Sequence, residues 1–177
     1  MVATRFEHYL FLFTGLRFSM NAAMPSERSS SAKVEWNKLR STFMPSDNGV
    51  SNARLMASLA MAAAGRDIVF CMVSTWEDVK QVMQKLLAGS QKPKMVVECS
   101  SISLEGSAEL RSLLSAKGID YLAAPVSGNA KVIKAGKLTI VASGPKKAYD
   151  AARPYLDMLG TGSSYVGEGE LARIAKI

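Results

Sequence analysis

From Asp67 onward, short and mostly apolar runs alternate with longer stretches in which apolar residues recur every three or four positions. DIVFCMV (67–73) is a continuous apolar run bounded by polar residues, the pattern of a strand buried on both faces, and MVVEC (95–99), IDYLAA (119–124) and LTIVAS (138–143) read as the strands that follow. Between the first two, Thr75 stands as a helix cap with Glu77 and Asp78 in the first turn, where acidic groups oppose the helix dipole. Trp76, Val79, Val82, Met83 and Leu86 mark the buried face of that helix, and Gly89 and Pro93 end it. Ser103 caps a second helix with Leu104, Ala108, Leu110, Leu113 and Leu114 on one side and Gly118 at its close. A third helix is predicted over residues 146–159, kinked at Pro154, followed by a short strand over 164–166 and a new helix starting near Glu168.

Upstream the pattern changes. ARLMASLAMAAA (53–64) consists of helix formers stopped by Gly65, whereas residues 18–52 are rich in Ser, Asn, Met and Pro and carry no sustained period. That segment reads as loop or disorder. The opening MVATRFEHYLFLFTGLRFSM holds an apolar run between Arg5 and Arg17, shorter than the roughly 20 residues a membrane-spanning helix needs. A secretory or organellar leader is one reading of it, although Glu7 sits inside and no small-residue cleavage site is evident.

Alternating strands and helices with connections of this length imply right-handed crossovers and a doubly wound, largely parallel α/β sheet. The expected organisation is an atypical N-terminal segment (1–52), a Rossmann-like domain (53–166) and the start of an interdomain helix (167–177). With 177 residues and 48% hydrophobic composition, the chain has material for one good core.

The net charge of +7 suits nucleic acid, an anionic membrane or a phosphorylated ligand. The lysines and arginines are scattered, without an aromatic-interleaved basic run, which argues against nucleic acid. Cys71 and Cys99 lie inside apolar runs and read as structural thiols. With His8 the sole histidine and no CxxC, a His/Cys metal site has no ligand set.

In open parallel sheets ligands bind at the carboxyl ends of the strands. Three consecutive runs here end in serine: Ser74, then Ser100 and Ser101, then Ser127, which Gly128 follows. Small hydroxyl residues and glycine let a ligand approach the backbone; they also populate ordinary loops.

Residues 67–177 resemble the β-hydroxyacid dehydrogenases, the group that includes 3-hydroxyisobutyrate dehydrogenase and the cofactor domain of 6-phosphogluconate dehydrogenase. The family's D-x-PVSGG loop and following A-G-T-L-x-I-x-x-G-G are met by Pro125, Val126, Ser127 and Gly128, then Ala135, Gly136, Leu138, Ile140 and Gly144. Ala123 or Ala124 stands for the Asp, Asn129 for the second Gly and Lys137 for Thr. The resemblance implies NAD or NADP as cofactor and a short 3-hydroxy acid as substrate. It puts Val73 and Ser74 beside the adenosine half, with Asp78 in place of an assisting Asn, so that an anion faces a polyanionic cofactor. ECSSISL (98–104) resembles D-x-ST-x-x-P, which puts Ser101 beside the nicotinamide, while Ser127, Gly128 and Asn129 stand where the substrate carboxylate binds.

The family's catalytic lysine opens a long helix in a setting like G-x-G-x-x-x-K-x-x-N-N. In GEGELARIAKI, Arg173 fits the spacing from Gly169, whereas Lys176 with Ile177 fits the run after the lysine if three residues are inserted. Lys176 is the preferred candidate, because arginine stays protonated while a desolvated lysine can be tuned toward neutrality.

Two family features are missing from the sequence. The G-x-G-x-x-G loop that holds the pyrophosphate has no counterpart, since Gly15 and Gly49 stand alone, and the residues up to Ile177 stop short of the family's all-helical domain, which is expected to be lacking. The expectation is therefore a partial, weakly active or inactive oxidoreductase domain, dimeric only with a helical domain, cytoplasmic or organellar. The alternative is a noncatalytic basic Rossmann-like binding module.

Overall fold

The computed structural model describes residues 2–6, 9–13, 63, 66–128, 137–159 and 161–176. The predicted helix over 53–64, apart from Ala63, the aperiodic 18–52 and Asn129 lie outside them. A five-stranded sheet runs in the order β1 (Val2–Phe6), β2 (Tyr9–Phe13), β3 (Ile68–Met72), β4 (Met95–Glu98), β5 (Asp120–Ala123). Strands β2 to β5 are parallel, with Phe13 opposite Met72, Cys71 opposite Glu98 and Glu98 opposite Ala123, so their carboxyl ends share one edge. Strand β1 pairs antiparallel with β2 at the sheet's outer side.

These runs are mostly apolar because both faces of their strands are covered. Val69, Cys71, Val96, Tyr121 and Ala123 pack with α1 (Trp76–Ala88) and α2 (Leu104–Ser115). The alternate positions Ile68, Phe70, Met95, Val97 and Leu122 pack on the opposite side with α3 (Lys146–Leu159). Period-2 alternation thus sorts each strand's side chains between two cores. Both helix starts follow the sequence: Thr75 forms a reciprocal capping box with Asp78, and the Ser103 hydroxyl accepts from Gly106 N at 3.1 Å. Helix α3 runs through Pro154.

Two features depart from the sequence reading. No strand was expected ahead of Asp67, yet β2 occupies the place beside β3 that a first βα unit takes in a doubly wound sheet. Hydropathy alone cannot separate an aromatic-rich strand such as YLFLF from a leader's apolar core. The second departure is at the C-terminal end, where β6 (Val126–Ser127), β7 (Thr139–Ala142) and β8 (Ser163–Tyr165) form a separate three-stranded sheet, antiparallel between β6 and β7. A bridge between Ala123 and Ser143 links it to the main sheet. Pro125 lies in the break between β5 and β6, and a proline cannot donate to a continuing ladder. The last helix, α4, is Leu171–Ala175, starting later than the expected Glu168.

Candidate active site

The site is built where the ends of β3 and β4 meet α4 and its C-cap Lys176. Ser74 and Ser101 are exposed just past the ends of β3 and β4, as are Ser127 and Gly128 in β6 and directly after it. Ser100 is instead 2% exposed and internal. Its hydroxyl accepts from Val73 N at 2.9 Å, and its own N–H donates to Glu98 Oε1 at 2.7 Å. The backbone of Val73 is thereby fixed from the neighbouring strand, with its side chain buried. Asp78 spends its carboxylate locally: Oδ2 accepts from Thr75 N at 3.1 Å and Thr75 Oγ1 at 2.9 Å. Its charge is directed at the amino end of α1, which the helix dipole favours.

Arg173 and Lys176, three residues apart at the end of the described chain, have different surroundings. Arg173 is 5% exposed and forms an ion pair with Glu98, which is fully buried. The same guanidinium donates to Ser100 O, to Ser107 Oγ at 3.3 Å and to Tyr121 Oη at 3.3 Å. Burial raises the Glu98 carboxyl above its ordinary value, with Arg173 and Ser100 pulling it back. Burial also opposes the Arg173 charge, but Glu98 and Tyr121 more than offset it, and the guanidinium stays charged. Arg173 is therefore spent inside the protein. Lys176 is half-buried and donates from Nζ to Ser101 Oγ. Burial and then the Arg173 charge lower its pKa below the ordinary lysine value.

The structure thus brings together Lys176 and Ser101, two candidates far apart in sequence. It withdraws Arg173 from the crevice, the opposite of what its spacing from Gly169 suggests. No described contact joins Ser127 or Gly128 to this pair. The network of Glu98, Ser107, Tyr121, Arg111 and Glu170 was not anticipated. One signal for it existed, since a carboxylate inside the apolar run MVVEC must find a partner when buried. Cys71 and Cys99 are buried free thiols, both pushed up by burial first and then by Glu98.

The described residues at the ends of β3 and β4 offer a polar, cationic edge of the kind a dinucleotide needs. Exposed hydroxyls end two adjacent parallel strands, a cation stands beside one of them, and the Asp78 carboxylate is turned into a helix cap. The pyrophosphate position in such sheets is past the strand that β2 replaces. Gly15, two residues beyond Phe13, is outside the described residues.

Comparison with known proteins agrees with this architecture. Residues 30–167 match the family described as the NAD binding domain of 6-phosphogluconate dehydrogenase. The chain belongs to that family. The match begins at residue 30, upstream of the region that the motifs alone identify. Over 123 residues the sequence is 28% identical to 3-hydroxyisobutyrate dehydrogenase of Pseudomonas aeruginosa, covering 68% of this chain and 41% of that protein. The fold is similar to a Mycobacterium tuberculosis 3-hydroxyisobutyrate dehydrogenase solved with L-serine, with a TM-score of 0.68 and 22% identity, covering 97% of this chain and 58% of that one. An imine reductase from Myxococcus stipitatus in complex with NADP+ is similar at a TM-score of 0.62 and 20% identity, covering 96% of this chain and 58% of that one. The chain spans well under two thirds of the length of these relatives. Among the described residues no helix is long and apolar enough to cross a membrane.

Proposed function

We propose that this chain is the nicotinamide-cofactor domain of an oxidoreductase that interconverts a short 3-hydroxy acid, such as 3-hydroxyisobutyrate, with its carbonyl form. The observation that carries the reading is Lys176 bonded to Ser101 at the end of β4, with burial lowering its pKa. Bound NAD(P) would exchange the hydride with the substrate carbon. Ser101 would meet the nicotinamide half, and Val73, Ser74 and the start of α1 the adenosine half.

Lys176 would hold and move the hydroxyl proton at Nζ, a role that favours a lysine tuned toward neutrality. Ser127 would offer its hydroxyl and Gly128 its backbone N–H to the substrate carboxylate, with Asn129 beside them. The Asp78 carboxylate, held in the cap, would repel the cofactor less than a free one. The same reading takes 53–166 as the main part of the cofactor domain, with β1 and β2 adding to its sheet, leading into an interdomain helix from residue 167.

The test is calorimetric titration of the full chain with NADH. Binding in the high micromolar range is expected, because charge-assisted bonds to a pyrophosphate loop, roughly 1.5–3 kcal/mol each, have no glycine motif to supply them. Binding should weaken further in Ser101→Leu. No heat at millimolar NADH overturns the reading in favour of a noncatalytic basic module.

A further inference from the structure

The turn that delivers Lys176 is held unusually firmly for so short a helix. Ser143 is fully buried at the end of β7, donates from Oγ to Gly169 O at 2.9 Å and accepts from Ala172 N at 3.0 Å. Gly144 N donates to Gly167 O at 3.0 Å. From α2, Arg111 donates to Glu170 Oε1 at 2.9 Å and to Gly169 O, with its guanidinium 5.4 Å from the centre of the Tyr121 ring. Arg173 in turn donates to Tyr121 Oη at 3.3 Å, to Glu98 and to Ser100 O. Helix α4 thus gives an arginine to Glu98 of the sheet and, at its N-cap Glu170, takes one from α2.

We infer that Arg173 is a positioning residue: anchored on Glu98 of β4, it fixes the turn so that Lys176, three residues on, stands against Ser101 at the end of the same strand. The geometry carries this. Glu98, Ser100 and Ser101 are consecutive or nearly so, and residues three apart on a helical turn share a face. One guanidinium contacting Glu98 and Ser100 O therefore sets both the height and the rotation of the turn relative to Ser101. A lysine at position 173 would have the charge but not the planar fork that meets several acceptors at once. The groups acting on Lys176 are Arg173 and, in the opposite sense, Glu98 and Cys99. The catalytic role of Lys176 rests on the proposed function; its placement does not.

The experiment is a titration of the lysines of the full chain, without cofactor, after reductive 13C-methylation and observation by NMR, the Lys176 signal being assigned by its loss in Lys176→Arg. In the natural chain this signal should titrate below the other lysines. In Arg173→Ala it should rise into the range of solvated lysines, and Arg173→Lys should restore the low value only in part. Arg173→Ala leaves Glu98 buried and unpaired, so it can fail to fold. The double variant Glu98→Met/Arg173→Met removes both charges at constant net charge, a replacement that buried ion pairs tolerate, and should show the same rise. An unchanged low titration of Lys176 in either folded variant overturns the inference. NADH binding, measured separately, tests the dehydrogenase reading: its absence with the titration behaving as expected removes the function and leaves the positioning role standing.

Discussion

Tyr121 shows how a single residue joins the core to the site. Its hydroxyl shares a 2.8 Å hydrogen bond with Ser107 and accepts from Arg173, and burial first, then Glu98, pushes its pKa up to about 12. In the unfolded chain a tyrosine ionises near 10, so the folded value is the higher one. The stability this group contributes is therefore fully present below about pH 10 and lost as the pH rises toward 12. Two units correspond to about 2–3 kcal/mol. Tyr121→Phe should remove that part of the alkaline loss, read as a flatter dependence of the denaturation midpoint between about pH 10 and about pH 12. A second expectation concerns Glu98. Glu98→Leu strands the Arg173 charge in a site that is 5% exposed, and should cost about 3–5 kcal/mol in urea denaturation. The carboxylate inside MVVEC was visible in the sequence; its partner, 75 positions away, was not.

At the scale of elements, local chemistry explains the helix starts and one obligatory glycine. Thr75→Ala removes the hydroxyl that accepts from Asp78 N at 3.1 Å and should lower stability by about 1 kcal/mol in thermal denaturation. Gly144, the glycine that closes the A-G-x-L-x-I signature, has φ +144°, and a Cβ there would lie 2.7 Å from Tyr121 O. Backbone cannot yield as a side chain can, so Gly144→Ala should cost roughly 1–3 kcal/mol, measured by the same method. A glycine read in sequence as part of the signature that follows the substrate loop is thus also required by a close approach between β5 and the start of α3. Cap residues announce themselves in sequence because their partners lie three positions away. The reason for Gly144 becomes visible only once β5 lies beside it.

For the whole molecule, the N-terminal hairpin bears on the integrity of the sheet. Strand β2 pairs with all five residues of β3, whose Ile68, Val69, Phe70 and Cys71 are buried. Deleting residues 1–13 exposes a long apolar edge, the kind that recruits another chain. The truncated protein should melt lower and self-associate, measured by calorimetry and light scattering; an unchanged monomer with an unchanged melting midpoint would show that β3 does not need this neighbour. What the sequence by itself determined is whatever short-range pattern encodes: the four central apolar runs, the Thr75 and Ser103 caps, the helix over 146–159 and the motif residues that identify the family. Periodicity and capping act over a few residues, so one chain segment suffices to specify them. The tertiary structure decided the pairing of β2 with β3, the splitting of the last strands into a second sheet, and the different fates of Arg173 and Lys176. Strand partners and buried charge pairs are contacts between distant segments. Only the assembled core, which desolvates Glu98 and Arg173 together and leaves Lys176 beside Ser101, distinguishes a structural cation from a candidate catalytic one.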